Sequence, residues 1–137
     1  MNAAAAYQRR SVEGTTPVGL IVLMYQAAVV DFRKAIAAMN TAPNTAREIE
    51  ARTHALNHLL AIVGELKRAL DFERGGEVAR NFQRLYVLTE RLVLQASRDR
   101  DAQPLHDLLE QYTLILAAWR QVEARPAAPV AQAAWSA

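Results

Sequence analysis

Four segments of this chain carry apolar residues at alternating steps of three and four, and this spacing constrains the fold more than any other feature. In the second segment the spacing places five residues on one helix face: Leu56, Leu59, Val63, Leu66 and Leu70. A helix with one apolar face buries it by packing against other elements. No segment alternates apolar and polar residues as a half-buried strand does. We therefore predict an all-α protein.

Turn residues separate the four segments and set the helix boundaries. The predicted helices span residues 17–39, 45–71, 77–97 and 104–124. Pro104 suits the first turn of a helix, and the Gly75-Gly76 pair suits a helix end. Long helices with short connections are typical of an antiparallel up-and-down four-helix bundle. We expect this bundle over residues 1–125, with an extra N-terminal segment, followed by a Pro- and Ala-rich tail over residues 126–137.

Composition excludes several classes of protein. The 137-residue chain has no Cys, so it holds no disulfide, thiolate metal site or Cys nucleophile. Its 16 Lys and Arg are interleaved with 14 Asp and Glu and leave a net charge of +2, so we expect no nucleic acid partner. The longest apolar stretch, residues 17–30, is interrupted by Gln26. It falls short of the ~20 residues of a membrane span, so we expect none.

The first helix carries more apolar surface than one face of a bundle requires. Val22, Val29 and Ile36 form a second stripe at steps of seven. In the second helix, Leu60 and Ile62 also lie off the main apolar face. Two interpretations stay open: the flanks of the bundle bury these residues, or they line a groove that receives an amphipathic helix of another chain.

No set of residues indicates catalysis. His54 and His58 share a helix face with Glu50, but the spacing places both imidazoles on the outer side of the helix, and no second motif completes a metal site. Histidine phosphotransfer domains also carry an outward His on a four-helix bundle, yet the Lys-Gly pair that follows such a His is missing here. Gly75-Gly76 lacks the strand and the Gly-Lys-Ser/Thr of a phosphate loop. We expect no catalytic residue, cofactor or bound metal.

Three segments, taken in order, resemble the FliS family of flagellin export chaperones. The most specific, Gly75–Tyr86, reads GGEVARNFQRLY and is similar to the family's Gly-Gly-Glu-Ile-Ala-x-Asn-Leu-x-x-Leu-Tyr almost residue for residue. A second lies between Tyr7 and Tyr25, and a third ends in an Ala-Trp pair at Trp119. The resemblance covers roughly residues 4–124 and leaves only the tail outside.

The resemblance implies a non-enzymatic export chaperone that acts in the cytoplasm. Such chaperones bind the disordered C-terminal segment of flagellin, prevent its premature polymerisation and deliver it to the flagellar type III export gate. Two partners are therefore implied, the flagellin segment and the cytoplasmic domain of the export gate. We expect the protein to be a monomer or a homodimer.

The resemblance also implies roles for particular residues. Tyr7 matches the N-terminal Tyr that covers the client groove when no client is bound and takes part in the gate contact, and Val12 belongs to the same segment. Asn81, Tyr25 and Tyr86 match further family positions, although both tyrosines also fit core positions with the hydroxyl at a wet edge. The surplus apolar surface adds three residues to this predicted partner-binding set: Val22, Val29 and Ile62.

Two other functions stay open, a histidine phosphotransfer bundle and a generic helical adaptor with another client. Acid-labile phosphate on His54 or His58 after incubation with a phosphodonor would indicate the first. Titration of a flagellin C-terminal peptide separates the second from the chaperone.

Overall fold

Four helices account for most of the residues that the structure describes. The structure is a computed structural model, and it describes residues 16–41 and 45–125. The helices are α1 (Pro17–Met39), α2 (Ala46–Arg68), α3 (Phe72–Asp99) and α4 (Gln103–Ala124). These two ranges contain no strand, in agreement with the spacing. The predicted boundaries lie within three residues of the observed ones, apart from the start of α3, which comes five residues earlier than predicted.

Side-chain caps begin α1 and α2. The Thr16 hydroxyl accepts a hydrogen bond from the Gly19 N–H at 3.0 Å. Thr45 and Glu48 form a capping box, in which each side chain accepts from the backbone N–H of the other residue. These bonds satisfy N–H groups that the first helical turn leaves without a partner. They are local, so the sequence alone is enough to predict both helix starts.

The Gly75-Gly76 pair bends α3 rather than ending a helix. The Asp71 carboxylate accepts a hydrogen bond from the Arg74 N–H at 3.0 Å, so a first helical turn forms before the glycines. Gly76 then adopts φ 52° and ψ −126°, a conformation that strains a residue with a side chain. The predicted break at this pair is therefore a kink within α3, because the Asp71 cap starts the helix upstream of it.

The helices pack in a ring, in which each contacts the next along the chain and α4 returns to α1. Because the connections are short, successive helices run antiparallel. This is the predicted four-helix bundle. α3 packs less closely on its neighbours α2 and α4 than α1 does on α2 and α4.

The second apolar stripe of α1 lies in the core. Val22 and Val29 are 5% and 4% exposed, and Ile36 is also buried. Ile62 of α2 is fully buried in the same hydrophobic cluster. This stripe lines no open groove in the described residues, because α2 and α4 cover two faces of α1. Partner binding by Val22, Val29 and Ile62 stays a prediction, and none of the three lies at the surface.

Candidate functional site

An open apolar groove of about 370 Å³ lies between α3 and α4. Four residues of α3 and two of α4 line it: Val78, Asn81, Phe82, Leu85, Gln111 and Ile115. The α3 residues recur at steps of three and four, so one flank of that helix supplies one wall. The four apolar side chains of the lining are only half-buried. The bundle therefore leaves part of its α3–α4 interface open to solvent.

The groove offers apolar contacts and amides but no charged lining residue. Asn81 and Gln111 are exposed, and they place one amide on each wall. The Asn81 side-chain oxygen accepts a hydrogen bond from Arg84 at 2.6 Å, which leaves its NH2 group as the donor toward a ligand. Apolar sites with a few polar groups of this kind bind apolar side chains and orient the backbone that carries them.

Aromatic rings support the groove from below. The rings of Phe82 and Tyr86 stack at a centroid distance of 6.0 Å, and those of Phe82 and Trp119 lie 5.9 Å apart. Tyr86 and Trp119 are buried, while Phe82 is half-buried and reaches the groove surface. Phe82 thus connects the open groove to the packed interior, which holds that wall in place.

Two pairs of hydroxyl groups beneath the groove connect α3 to the rest of the bundle. The Tyr25 and Tyr86 hydroxyl oxygens are 2.7 Å apart and join α1 to α3. The Thr89 and Tyr112 hydroxyl oxygens are also 2.7 Å apart and join α3 to α4. Because buried hydrogen bonds are directional, these pairs fix the position of a helix that has little apolar packing.

The buried tyrosines act as neutral hydrogen-bonding groups. Burial raises the pKa of Tyr25, Tyr86 and Tyr112 above the usual tyrosine value, so all three stay protonated. Tyr25 and Tyr86 are fully buried, and their hydroxyls meet each other instead of a wet edge. Their place beneath the groove is structural, and direct partner contact by either one stays a prediction.

Two exposed leucines lie on the rim of the groove, outside the residues that line it. Leu88 follows Asn81 and Leu85 on the same flank of α3 and is 42% exposed. Leu114, one turn beyond Gln111 on α4, is 63% exposed. The apolar surface offered to a partner is therefore wider than the groove itself.

The described chain brings one predicted partner-binding residue, Asn81, to the groove. Tyr7 and Val12 lie outside the described residues. The three-and-four spacing places Phe82 and Ile115 on the apolar faces of α3 and α4. It does not show their partial exposure, because spacing does not report how closely two helices approach. Gln111 was also missed. The sequence feature that could have identified Gln111 is an uncharged amide beside the apolar face of each of the two helices.

A hydrogen bond between side chains of α1 and α2 was not foreseen either. His58 Nδ1 bonds to a carboxylate oxygen of Asp31, which is only 4% exposed. Burial raises the pKa of Asp31, while the hydrogen bond and charge of His58 oppose that rise. His54 is exposed as predicted, but the outward position predicted for His58 is wrong. Periodicity within α2 could not show that α1 presents a carboxylate to this side chain.

The remaining surface of the described chain offers few candidates for a metal or ligand site. Across residues 16–41 and 45–125, no three His, Cys, Asp or Glu side chains are grouped to hold a metal ion. A depression of about 480 Å³ contains Glu50 and His54, but α2 alone lines it. None of the helices in these ranges is long and apolar enough to cross a membrane.

Comparison with known proteins connects this bundle to flagellar proteins. The family model described as "Flagellar protein FliS" matches residues 1–126. The chain is 36% identical over 76 residues to the flagellar secretion chaperone FliS of Salmonella typhimurium, a match that covers 55% of this chain and 56% of that protein. It is 27% identical to the flagellar secretion chaperone FliS of Campylobacter jejuni, over 85% of this chain and 88% of that one. It is 28% identical to the flagellar secretion chaperone FliSB of Pseudomonas aeruginosa, over 87% and 94%.

The family match includes all four helices and every residue that lines the groove. The Gly75–Tyr86 segment, which carries the strongest sequence resemblance, also forms one wall of that groove. The motif, the bundle and the family match agree, and the chain belongs to the FliS family of flagellar proteins.

Proposed function

We propose that this protein is a non-enzymatic export chaperone that binds the disordered C-terminal segment of flagellin and keeps it from polymerising before secretion. The observation that carries the proposal is the open, uncharged groove between α3 and α4. The flagellar secretion chaperones among its relatives support the same role. Masking a segment requires burial of apolar surface and no reactive group.

The shape of the groove suits a short amphipathic helix. From Val78 to Leu88 the wall of α3 extends about 15 Å at the ~1.5 Å rise of each helical residue. That length accommodates two to three turns of a client helix, with apolar anchors at steps of three and four. A client that orders only on binding loses part of the interaction free energy to ordering, so the complex can still release it.

Delivery to the export gate is the second half of the proposal. We assign the contact with the cytoplasmic domain of the gate to the N-terminal segment that contains Tyr7 and Val12. The protein then works in the cytoplasm, as a monomer or a homodimer. Light scattering of the purified protein, alone and with the client peptide, measures the oligomeric state.

A titration with a flagellin C-terminal peptide tests client binding and the site together. We expect saturable one-to-one binding by calorimetry, with a gain in helical circular dichroism. Leu114→Asp places a charge on the groove rim and should weaken binding about tenfold, which corresponds to ~1.4 kcal/mol. Leu94→Asp is the matched control, since Leu94 is 61% exposed and Leu114 is 63% exposed.

Three results would contradict parts of the proposal. Absence of binding by the parent protein would favour an adaptor with another client. Equal weakening by Leu114→Asp and Leu94→Asp would move the client away from the α3–α4 groove. Acid-labile phosphate on the exposed His54 would favour phosphotransfer.

A further inference from the structure

The face of α3 that points away from the bundle carries a regular stripe of exposed residues. Its six members recur at steps of four and three, and we call them the arginine stripe: Arg80, Arg84, Val87, Arg91, Leu94 and Arg98. All six are exposed, whereas the residues that α3 buries beyond its kink lie on the opposite face of the helix. None of the six lines the groove between α3 and α4.

The stripe has the period of helices that pair along their length. It consists of two interleaved series with steps of seven, Arg84-Arg91-Arg98 and Arg80-Val87-Leu94. Helices that coil around each other stay in contact at a 3.5-residue period, so this pattern suits a partner helix that runs along α3. From Arg80 to Arg98 the stripe is about 27 Å long at the ~1.5 Å rise of each helical residue. That length accommodates about five turns of a partner helix.

Carboxylates of α3 reach only the two ends of the stripe. Arg80 pairs with Glu77 at one end, and Arg98 pairs with Asp99 at the other. Both pairs are exposed, and exposed ion pairs contribute little to stability. A carboxylate of another protein can therefore replace Glu77 or Asp99 at little cost.

The middle of the stripe is positive and apolar. Arg91 makes no hydrogen bond or ion pair with any residue that the structure describes. Its neighbour Glu90 bonds instead to Lys67 of α2 at 2.7 Å. Val87 and Leu94, on either side of Arg91, are 40% and 61% exposed. Arginine beside exposed apolar side chains is typical of protein interfaces.

We propose that the arginine stripe is a docking surface for an acidic amphipathic helix of a separate protein. Carboxylates of that helix bind the guanidinium groups, and its apolar side chains cover Val87 and Leu94. The inference does not depend on the proposed chaperone function, because the stripe and the groove lie on different sides of α3. A client in the groove and a partner on the stripe can be bound together.

A second copy of this chain matches the stripe less well than a more acidic helix does. α4 carries an exposed series at the same steps: Gln103, Asp107, Glu110, Leu114, Ala117 and Gln121. Only Asp107 and Glu110 are carboxylates, so pairing with this series leaves at least two of the four arginines without an acidic partner. Charge complementarity therefore favours a separate protein.

Lipid and nucleic acid also match the mixed stripe less well. A helix that lies on a membrane buries a broad apolar face, and the stripe offers only Val87 and Leu94. Phosphates of a nucleic acid would bind the arginines and leave both apolar side chains without a contact. A helix that carries carboxylates and apolar residues on one face pairs with all six positions.

A designed peptide tests the docking. The probe is a fluorescent helix of three heptads, with Glu and Leu at the two stripe positions of each heptad and Ala or Gln elsewhere. We expect saturable binding by fluorescence anisotropy that weakens as the salt concentration rises, because salt screens exposed charges. The control is a peptide of the same composition in which Glu and Leu do not share a face, and it should bind about tenfold more weakly.

Matched charge reversals locate the binding surface. Arg91→Glu should weaken binding of the probe about tenfold, because it places a like charge opposite the carboxylates. Arg33→Glu is the control at an exposed arginine of α1 and should change binding about twofold or less. Leu94→Asp should also weaken binding about tenfold, and Leu114→Asp should not. All four positions are exposed, so the melting temperatures should stay near that of the parent.

Several results would overturn the docking. Equal binding of the two peptides, or equal weakening by Arg91→Glu and Arg33→Glu, would show general attraction to a basic protein. Phosphatidylserine vesicles or a DNA duplex that bind more tightly than the probe, and that Arg91→Glu releases, would make lipid or nucleic acid the occupant. A doubled mass in light scattering that Arg91→Glu halves would make a second copy the occupant.

The flagellin peptide separates this inference from the proposed function. Arg91→Glu should change the affinity for that peptide about twofold or less, and the peptide and the probe should bind at the same time. Displacement of the probe by the flagellin peptide would place the client on the stripe and overturn the separate partner. A protein that binds the probe but no flagellin peptide would contradict the proposed function and support the docking surface.

Discussion

α1 and α3 carry apolar residues at the same spacing, but they differ in how much of their surface the bundle buries. Twelve of the 23 residues of α1 are buried, against six of the 28 residues of α3. α1 packs closely against two neighbours, so even its second apolar stripe is covered. α3 keeps Val87, Leu88 and Leu94 exposed and shares an open groove with α4.

This difference shows how an ordered bundle can keep an apolar binding surface. The hydroxyl pairs Tyr25–Tyr86 and Thr89–Tyr112 hold α3 by directional bonds, which need less contact area than apolar packing does. The open flank is then available to a partner without loss of the helix position. Large exposed apolar patches of this kind usually mark interaction sites.

Matched leucine substitutions give the largest expected contrast between the two sides. Leu59→Ala, in the closed core where Leu59 is 0% exposed, should lower the free energy of unfolding by about 2–5 kcal/mol. Leu88→Ala, on the open flank, should change it by about 0.5 kcal/mol or less. Urea denaturation measures both. Equal losses would mean that α3 packs as tightly as the α1 side.

The Asp31–His58 pair gives a second test of this comparison, because it joins the closely packed helices α1 and α2. His58→Ala should lower stability by about 2 kcal/mol at neutral pH, less than the ~3–5 kcal/mol of fully buried pairs because His58 is partly exposed. His54→Ala, at an exposed position one turn away, should change stability by about 0.5 kcal/mol or less.

The pH dependence of the His58→Ala defect follows from the Asp31 carboxyl. Loss of His58 removes the hydrogen bond and the charge that oppose the raised pKa of Asp31, so that pKa rises further in the folded variant. A carboxyl with a raised folded-state pKa loses stability as the pH rises through that pKa. The defect should therefore shrink at acid pH and grow toward neutral pH in a series of urea titrations. A defect independent of pH would assign the loss to packing.

Substitution of Gly76 tests whether the stability of the protein depends on the kink near the start of α3. Gly76→Ala should lower stability by about 1–3 kcal/mol, because φ 52° with ψ −126° strains any residue with a Cβ. Gly64→Ala is the control within regular helix. Its added Cβ would meet the Arg68 side chain at an ordinary 3.5 Å, so stability should rise by ~0.5–1 kcal/mol. A neutral Gly76→Ala would show that the kink relaxes freely.

Tyr7 should give the smallest effect on stability, since it precedes the first predicted helix. Tyr7→Ala should leave the melting temperature nearly unchanged and leave flagellin peptide affinity equal or higher. Affinity for the cytoplasmic domain of the export gate should fall about tenfold, ~1.4 kcal/mol. Melting well below the parent with normal gate binding would instead make Tyr7 a structural residue.

The sequence by itself determined the helices and the bundle class. Each of these depends on residues within one or two turns of each other, so spacing and side-chain type are sufficient. The Gly75–Tyr86 motif was likewise enough to indicate the family. Gly76 shows where this local information ends. The sequence indicated that the backbone changes direction at Gly76, but α3 already begins after the Asp71 cap, so the predicted helix end is a kink within α3.

Only the tertiary structure decided which apolar faces are covered. Spacing places Val29 on the second stripe of α1 and Ile115 on the main apolar face of α4, yet Val29 is buried between helices and Ile115 lines an open groove. The Asp31–His58 pair likewise joins residues 27 positions apart on two helices. Spacing specifies which side of a helix is apolar, whereas the distance to the neighbouring helix depends on all the side chains between them, and that distance separates core from binding surface.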